Sequence, residues 1–396
     1  MQDPYFKNLL FICANYPKPG GVETVTGMLV DFFLSKGSIV YLMVSKDPDN
    51  PIPPDHRHFN NIIEMPDPQN SLQNLSFIEH FIRTHSITCV FNQGVFSQIY
   101  TKSSNHPNTL FINTLHSMPF WEIDKFVNSK CSDVLRPQKG VVNKAKILLR
   151  YALGYLHPEF SHPNIRRFYR HQIECADWFV VLDKSFKTTL ENKLYHGLPH
   201  PKIQVIPNPL KSRAIVPFNK QKQVLYVGRL TAEPKRVDRL LRIWSLIESQ
   251  VPDWNLQIVG DGDQRGYLEQ LGKDLKLKNV VFRGFQDPTT FYASASILCL
   301  TSTYEGAPMV ISEAQSYGTV PIVFGSVDSI YSLIDNNLNG IIVPPFDEKA
   351  FANDLLKLIQ DEANLKRLSE GALKKVKDLD VENIGRQWLK LHQHTR

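Results

Sequence analysis

Ile297-Leu298-Cys299-Leu300-Thr301-Ser302-Thr303-Tyr304-Glu305-Gly306-Ala307-Pro308-Met309-Val310-Ile311-Ser312-Glu313-Ala314 reads as a buried strand, a polar turn and the opening of a helix expected over Val310 to Tyr317. The apolar run has no alternation, as in a strand covered on both faces. Two glutamates, Glu305 and Glu313, bracket the helix start. Gly306 lets a ligand approach the backbone closely, and the N–H groups of Met309 and Val310 can bind an anion. Glu313, expected on the first turn, can accept hydrogen bonds from a vicinal diol. The helix dipole alone favours either glutamate singly, so it is their joint occurrence that signals a site.

The strand and helix rhythm continues outward. Strands are predicted at Val224 to Val227, Leu256 to Val259, Val280 to Phe282, Val320 to Phe324 and Ile341 to Val343, with a helix at Val237 to Ile247. Such alternation predicts a parallel sheet. Ile206-Pro207-Asn208-Pro209 interrupts it, because its prolines end the preceding strand, and reads as a linker. Upstream the rhythm recurs, with strands at Leu9 to Cys13, Ile39 to Val44, Ile87 to Phe91, Thr109 to Asn113 and Trp178 to Leu182. A helix carrying Val22, Val25, Leu29 and Phe33 is stopped by Gly37, and a second lies around Leu75 to Ile82. Beyond Phe351 the chain reads as successive helices that brace the domains.

Composition bounds the reading. A chain of 396 residues with 42 % hydrophobic residues can bury two or three cores, which excludes disordered, collagen-like and disulfide-stapled classes. The formal charge of +6 is a mild bias toward anionic partners and falls short of a nucleic-acid signature. Cys13, Cys89, Cys131, Cys175 and Cys299 are scattered, with neither zinc nor disulfide spacing, which suits a reducing compartment. No run reaches 18 apolar residues, so the expected location is cytoplasmic or peripheral at the inner face of the cell membrane. The segment 121–171 interleaves basic residues such as Lys125, Lys139, Arg150 and Arg167 with Trp121, Tyr151 and Phe168. It reads as a solvated charged face or as a surface for anionic lipid.

Ligands of open parallel sheets bind beyond the carboxyl ends of strands. Gly228-Arg229 follows one strand, and Lys235 precedes the helix at Val237, so two cations stand beside a helix N-terminus suited to a diphosphate. Asp261-Gly262-Asp263 matches a metal motif by letter, but its glycine context reads as a turn.

With these motifs the chain resembles the retaining family 4 glycosyltransferases of the GT-B fold. Glu305 through Glu313 is similar to the family's glutamate, seven residues, glutamate signature, and Val227-Gly228-Arg229-Leu230 with Lys235 to its diphosphate clamp. Gly20-Gly21-Val22-Glu23 resembles its N-terminal glycine loop, Val205-Ile206-Pro207-Asn208 its linker and Ile258-Val259-Gly260-Asp261-Gly262 a glycine turn. Asn339-Gly340-Ile341-Ile342-Val343-Pro344 matches a late core strand. The position after the clamp lysine is often glycine in the family and is Arg236 here.

The resemblance implies two Rossmann-like α/β domains facing across a cleft, 1–208 binding acceptor and 209–375 binding nucleotide sugar, with a helix at 376–396 packing back toward the first. It implies that Arg229 and Lys235 neutralise the donor diphosphate, that Glu313 holds the ribose and that Glu305 contacts the transferred sugar. Gly21 would donate its N–H to the phosphates and His116 would stand at the reaction centre. Gly20, Gly228, Gly260, Phe285, Gly306, Ala307, Met309 and Val310 complete the expected donor site. The implied activity is transfer of a hexose or N-acetylhexosamine, from UDP in preference to GDP, to a saccharide or lipid-linked saccharide in surface-polysaccharide synthesis. No cofactor, metal or nucleic acid is expected. A GT-B epimerase or phosphorylase, or a non-catalytic nucleotide-sugar-binding paralogue, is the alternative.

Overall fold

In the computed structural model, residues 6–14, 20–45, 62–67, 72–95, 106–123, 148–149, 152, 162, 164–211 and 220–394 are described. The chain divides into two units, Met1–Ile206 with Gln387–Arg396, and Pro207–Arg386. Most of the basic segment 121–171 lies outside the described residues. Among the described residues, no helix is long and apolar enough to cross a membrane.

The first unit is a parallel sheet of seven strands: β1 (Asn8–Cys13), β2 (Ile39–Val44), β3 (Ile62–Glu64), β4 (Cys89–Gln93), β5 (Leu110–Leu115), β6 (Trp178–Val181) and β7 (Ile203–Val205). Their spatial order is β3-β2-β1-β4-β5-β6-β7. The central strands are buried throughout or nearly so, hence their uninterrupted apolar runs. Helix α1 (Gly21–Ser35) buries Val25, Leu29, Val30, Phe32 and Phe33. Phe33 and Phe11 meet Phe91, whose ring stacks on Phe11 at 4.5 Å. Trp388 packs on the same Phe91 at 5.6 Å, so the end of the chain contributes to this core. Helices α2 (Leu72–Thr84), α3 (Ile165–Cys175) and α4 (Lys184–Tyr195) follow. Asp183 caps α4 by accepting from the Ser185 N–H at 2.7 Å.

The second unit repeats the plan with β8 (Gln221–Val227), α5 (Val237–Ile247), β9 (Asn255–Val259), α6 (Arg265–Asp274), β10 (Val280–Gly284), α7 (Thr289–Ser294), β11 (Ala295–Leu300), α8 (Met309–Ser316), β12 (Val320–Phe324), α9 (Ser329–Leu333) and β13 (Ile341–Val343). All six strands are parallel, ordered β10-β9-β8-β11-β12-β13. Its core joins Tyr226, Trp244, Phe324 and Phe351 to the aliphatic faces of α5 and of α10 (Glu348–Gln360). The expectation that the tail helices brace the domains needs correction for two of them. Helix α10 packs on α5, and α11 (Glu362–Lys375) packs on α8 and α10, all inside the second unit. Among the described helices, α12 (Val381–Lys390) alone contains residues of both units.

In each sheet the strand order reverses once, between β1 and β4 and between β8 and β11. The loops leaving those strands diverge there and open a crevice at the carboxyl ends.

Candidate donor-binding site

At the second reversal point, the loop after β8 carries Gly228, Arg229 and Lys235 and the loop after β11 carries Glu305 to Pro308. Side-chain and backbone hydrogen bonds join the two. Thr303 N donates to Pro234 O at 2.8 Å, and Thr301 Oγ1 donates to Arg236 O at 3.0 Å. Ser329 Oγ holds Gly306 O at 2.6 Å, and Ser326 Oγ holds Ser302 O at 3.1 Å. Lys235 Nζ then lies 2.7 Å from Glu305 Oε1, with 15 % and 11 % of the two side chains exposed. A cation and a carboxylate 70 residues apart thus form a shielded, charge-assisted pair at the crevice.

The neighbouring strand ends are packed backbone on backbone. Gly228 N donates to Val259 O at 3.1 Å, Gly260 N to Gly284 O at 2.8 Å and Leu230 N to Asp261 O at 2.9 Å. Gly260 has φ +138, and a Cβ there would lie 1.9 Å from Gly228 O, so no other residue fits. Tyr226 OH donates to Arg229 O at 3.1 Å, and burial, with Glu305 nearby, pushes that phenol well above its ordinary range. Burial, with Glu233 and Glu305, likewise raises Tyr304. The Arg229 side chain is exposed and has no ion-pair partner among the described residues.

Arg236, which stands where the family often has glycine, is already engaged. It pairs with Asp238 at 2.9 Å and with Glu233 at 3.3 Å, while Asp238 also pairs with Arg242 at 2.7 Å. The N-terminus of α5 makes no side-chain cap bond, and the Asp238 carboxylate of its first turn is held by the Arg236 and Arg242 side chains. The terminus of α8 is uncapped as well, since Pro308 makes no side-chain cap bond and the Met309 and Val310 N–H groups lead the helix. Glu313 moves. Helix α8 begins at Met309, so Glu313 is its fifth residue and lies beyond the first turn. Tyr292, buried and stacked with Tyr317 at 6.0 Å, donates its OH to Glu313 Oε2 at 2.8 Å.

Phe285 is 68 % exposed just after β10, beside the Gly284 turn at φ +71. Asp261 spends its carboxylate on the Gly262 N–H at 2.8 Å and on Arg265 at 3.0 Å, as a turn residue does. Among the described residues, no group of three or more His, Cys, Asp or Glu is placed to hold a metal ion.

The remaining expected residues belong to the first unit. Gly20 caps α1 in an extended conformation and Gly21 is its first residue, with the Glu23 carboxylate folded back over Gly20. His116 directly follows β5, and its Nε2 lies 2.6 Å from Gln93 Oε1. Burial holds this imidazole down to about 4, so it is neutral at pH 7. Gln93 and Tyr292 escaped the sequence reading. Gln93 ends an otherwise apolar strand, a position worth inspecting, whereas nothing local marks Tyr292.

Residues 209–375 match the family model for glycosyl transferases group 1. The second unit is a glycosyl transferases group 1 domain. Among curated relatives, the chain is 27 % identical over 284 residues to a Campylobacter jejuni N-acetylgalactosaminyltransferase named for an undecaprenol-linked acceptor, covering 69 % of this chain and 77 % of that one. It is 29 % identical over 222 residues to the lipopolysaccharide 1,6-galactosyltransferase of Escherichia coli, covering 52 % of this chain and 60 % of the relative. The structure of TarM from S. aureus, in complex with fondaparinux, alpha-GlcNAc-glycerol and UDP, superposes with a TM-score of 0.72 at 12 % identity over 97 % of this chain and 99 % of that one. That likeness establishes the GT-B fold of two parallel-sheet α/β domains.

Proposed function

We propose that this protein is a retaining, metal-independent hexosyltransferase. It moves a hexose or N-acetylhexosamine from a nucleotide diphosphate sugar, UDP before GDP, to a saccharide or lipid-linked saccharide in surface-polysaccharide synthesis. The observation that carries the reading is the Lys235–Glu305 pair at the reversal point of the second sheet, with unpaired Arg229 and the uncapped α8 terminus on the loops around it. Relatives named for lipopolysaccharide and undecaprenol-linked acceptors support the substrate class.

Glycosyl transfer requires charge stabilisation where the diphosphate leaves, and prearranged cations and helix N–H groups supply it without reorganisation. Lys235 and Arg229 meet the phosphate oxygens. Met309 and Val310 present backbone N–H groups, and Glu305 holds a sugar hydroxyl while keeping Lys235 in place. Tyr292 orients Glu313 toward the ribose diol. His116 and the Gly20-Gly21 start of α1 act from the first unit. Peripheral attachment to an anionic membrane through the basic 121–171 segment at the cytoplasmic face belongs to the same reading.

Thermal unfolding with UDP, GDP and ADP, with and without EDTA, tests it. A ligand bound only by the folded state raises the transition by mass action. One diphosphate should shift the transition, unaffected by EDTA, and Glu313→Ala should abolish the shift. No shift at millimolar concentration with any of the three refutes the reading.

A further inference from the structure

His116 has two ring nitrogens with different surroundings. Nε2 lies 2.6 Å from Gln93 Oε1, whereas Nδ1 makes no hydrogen bond to any described residue and is not among the sealed polar atoms, so it keeps contact with solvent. The register of the sheet builds the pair. Gln93 closes β4 opposite Thr114 of β5, and the Gly94 turn at φ +83 leaves room for the ring, whose Cδ2 would lie 3.9 Å from a Cβ at that position. Gln93 is 2 % exposed, so its amide has little room to turn away. Its Nε2 has no partner among the described residues, whereas its Oε1 is the atom that stands at the imidazole.

An amide oxygen only accepts, so a neutral ring facing it must carry its proton on Nε2. We propose that Gln93 is a positioning residue that fixes His116 as the Nε2–H tautomer and leaves Nδ1 as an acceptor for a hydroxyl of the saccharide ligand. His116 then serves as a neutral acceptor and not as a cation for phosphate. The ligand assignment rests on the glycosyltransferase reading; the tautomer does not.

The test uses the full chain labelled with 15N-histidine, with His116→Gln to assign the signal among the 13 histidines. Two-bond proton–nitrogen spectra at pH 7 should show His116 neutral with Nε2 protonated. Gln93→Leu should lose the single tautomer, and Gln93→Glu should drive the ring toward the imidazolium, with the other histidine signals unchanged as the folding control. An Nδ1–H tautomer in the parent, or a His116 signal unaltered by Gln93→Leu, overturns the proposal. Once a donor is identified, Gln93→Leu should lower kcat by roughly 10- to 100-fold while the nucleotide-induced thermal shift stays intact. Unchanged kcat overturns the positioning role. Failure of every nucleotide to bind, with the tautomer as stated, removes the glycosyltransferase reading and leaves the Gln93–His116 pair standing.

Discussion

Gly260→Ala perturbs the strand ends at the reversal point of the second sheet without touching a charge. The residue has φ +138, a conformation essentially confined to glycine, and holding another residue there costs about 1–3 kcal/mol. The new methyl would lie 1.9 Å from Gly228 O and 2.9 Å from Gly228 C, both backbone atoms that no rotamer change relieves. Relieving the overlap moves the β8 turn by more than an ångström, an overpacking cost of about 1–3 kcal/mol. The sum is about 2–6 kcal/mol, which for a unit of this size lowers its melting transition by roughly 5–20 °C. Gly266→Ala is the matched control, since a Cβ there meets nothing within 4 Å and replacing a helical glycine stabilises by about 0.5–1 kcal/mol. Calorimetry follows the melting transition, and the nucleotide-induced shift expected from the proposed function should fall with it, because Arg229 rides on the turn. A Gly260→Ala protein that melts within 2 °C of the parent, or a Gly266→Ala protein that falls equally far, refutes the backbone-contact argument.

Lys235→Met and Glu305→Gln should each destabilise by about 2–4 kcal/mol by stranding a mostly buried partner, while the double substitution costs clearly less than their sum in urea unfolding. Arg229→Ala should leave stability within about 0.5 kcal/mol, because the side chain is exposed and unpaired, yet weaken diphosphate binding about 10- to 100-fold by titration calorimetry. His116 is held at about 4 against an ordinary 6.5, so the folded state binds fewer protons across that window. Its contribution of about 3 kcal/mol is complete above pH 6.5 and lost as the pH falls toward 4, and a plot of melting temperature against pH should be flatter on that limb for His116→Gln. Burial pushes the Cys13 thiol up to about 12 and raises that of Cys299 as well, so neither should react with a thiol reagent at pH 8 until the chain is unfolded.

What was legible in the chain follows from where each residue's partners lie. The strands Ile39–Val44, Val320–Phe324 and Ile341–Val343 and the helix Val237–Ile247 stand where the periodicity puts them, because burial on a sheet or along a stripe repeats locally. Ile62–Glu64 was missed since it is a three-residue, half-exposed edge strand with too few buried side chains to leave a pattern. Helix α8 starts one residue before the expected Val310, which puts Glu313 in the second turn instead of the first. Residue types beside strand ends and helix starts named Arg229, Lys235, Glu305 and Glu313, and the family resemblance named His116, but no local rule names their partners. The pairs Tyr292–Glu313, Gln93–His116 and Lys235–Glu305 span 21, 23 and 70 residues. Two of them follow directly from strand adjacency. Gln93 and His116 meet because β4 and β5 are neighbours, and Lys235 and Glu305 meet because β8 lies beside β11 where the order reverses. A parallel sheet therefore does more than support the crevice loops. By setting which strand ends are adjacent, it decides which charges neutralise one another and which, like Arg229, stay exposed without an ion-pair partner among the described residues.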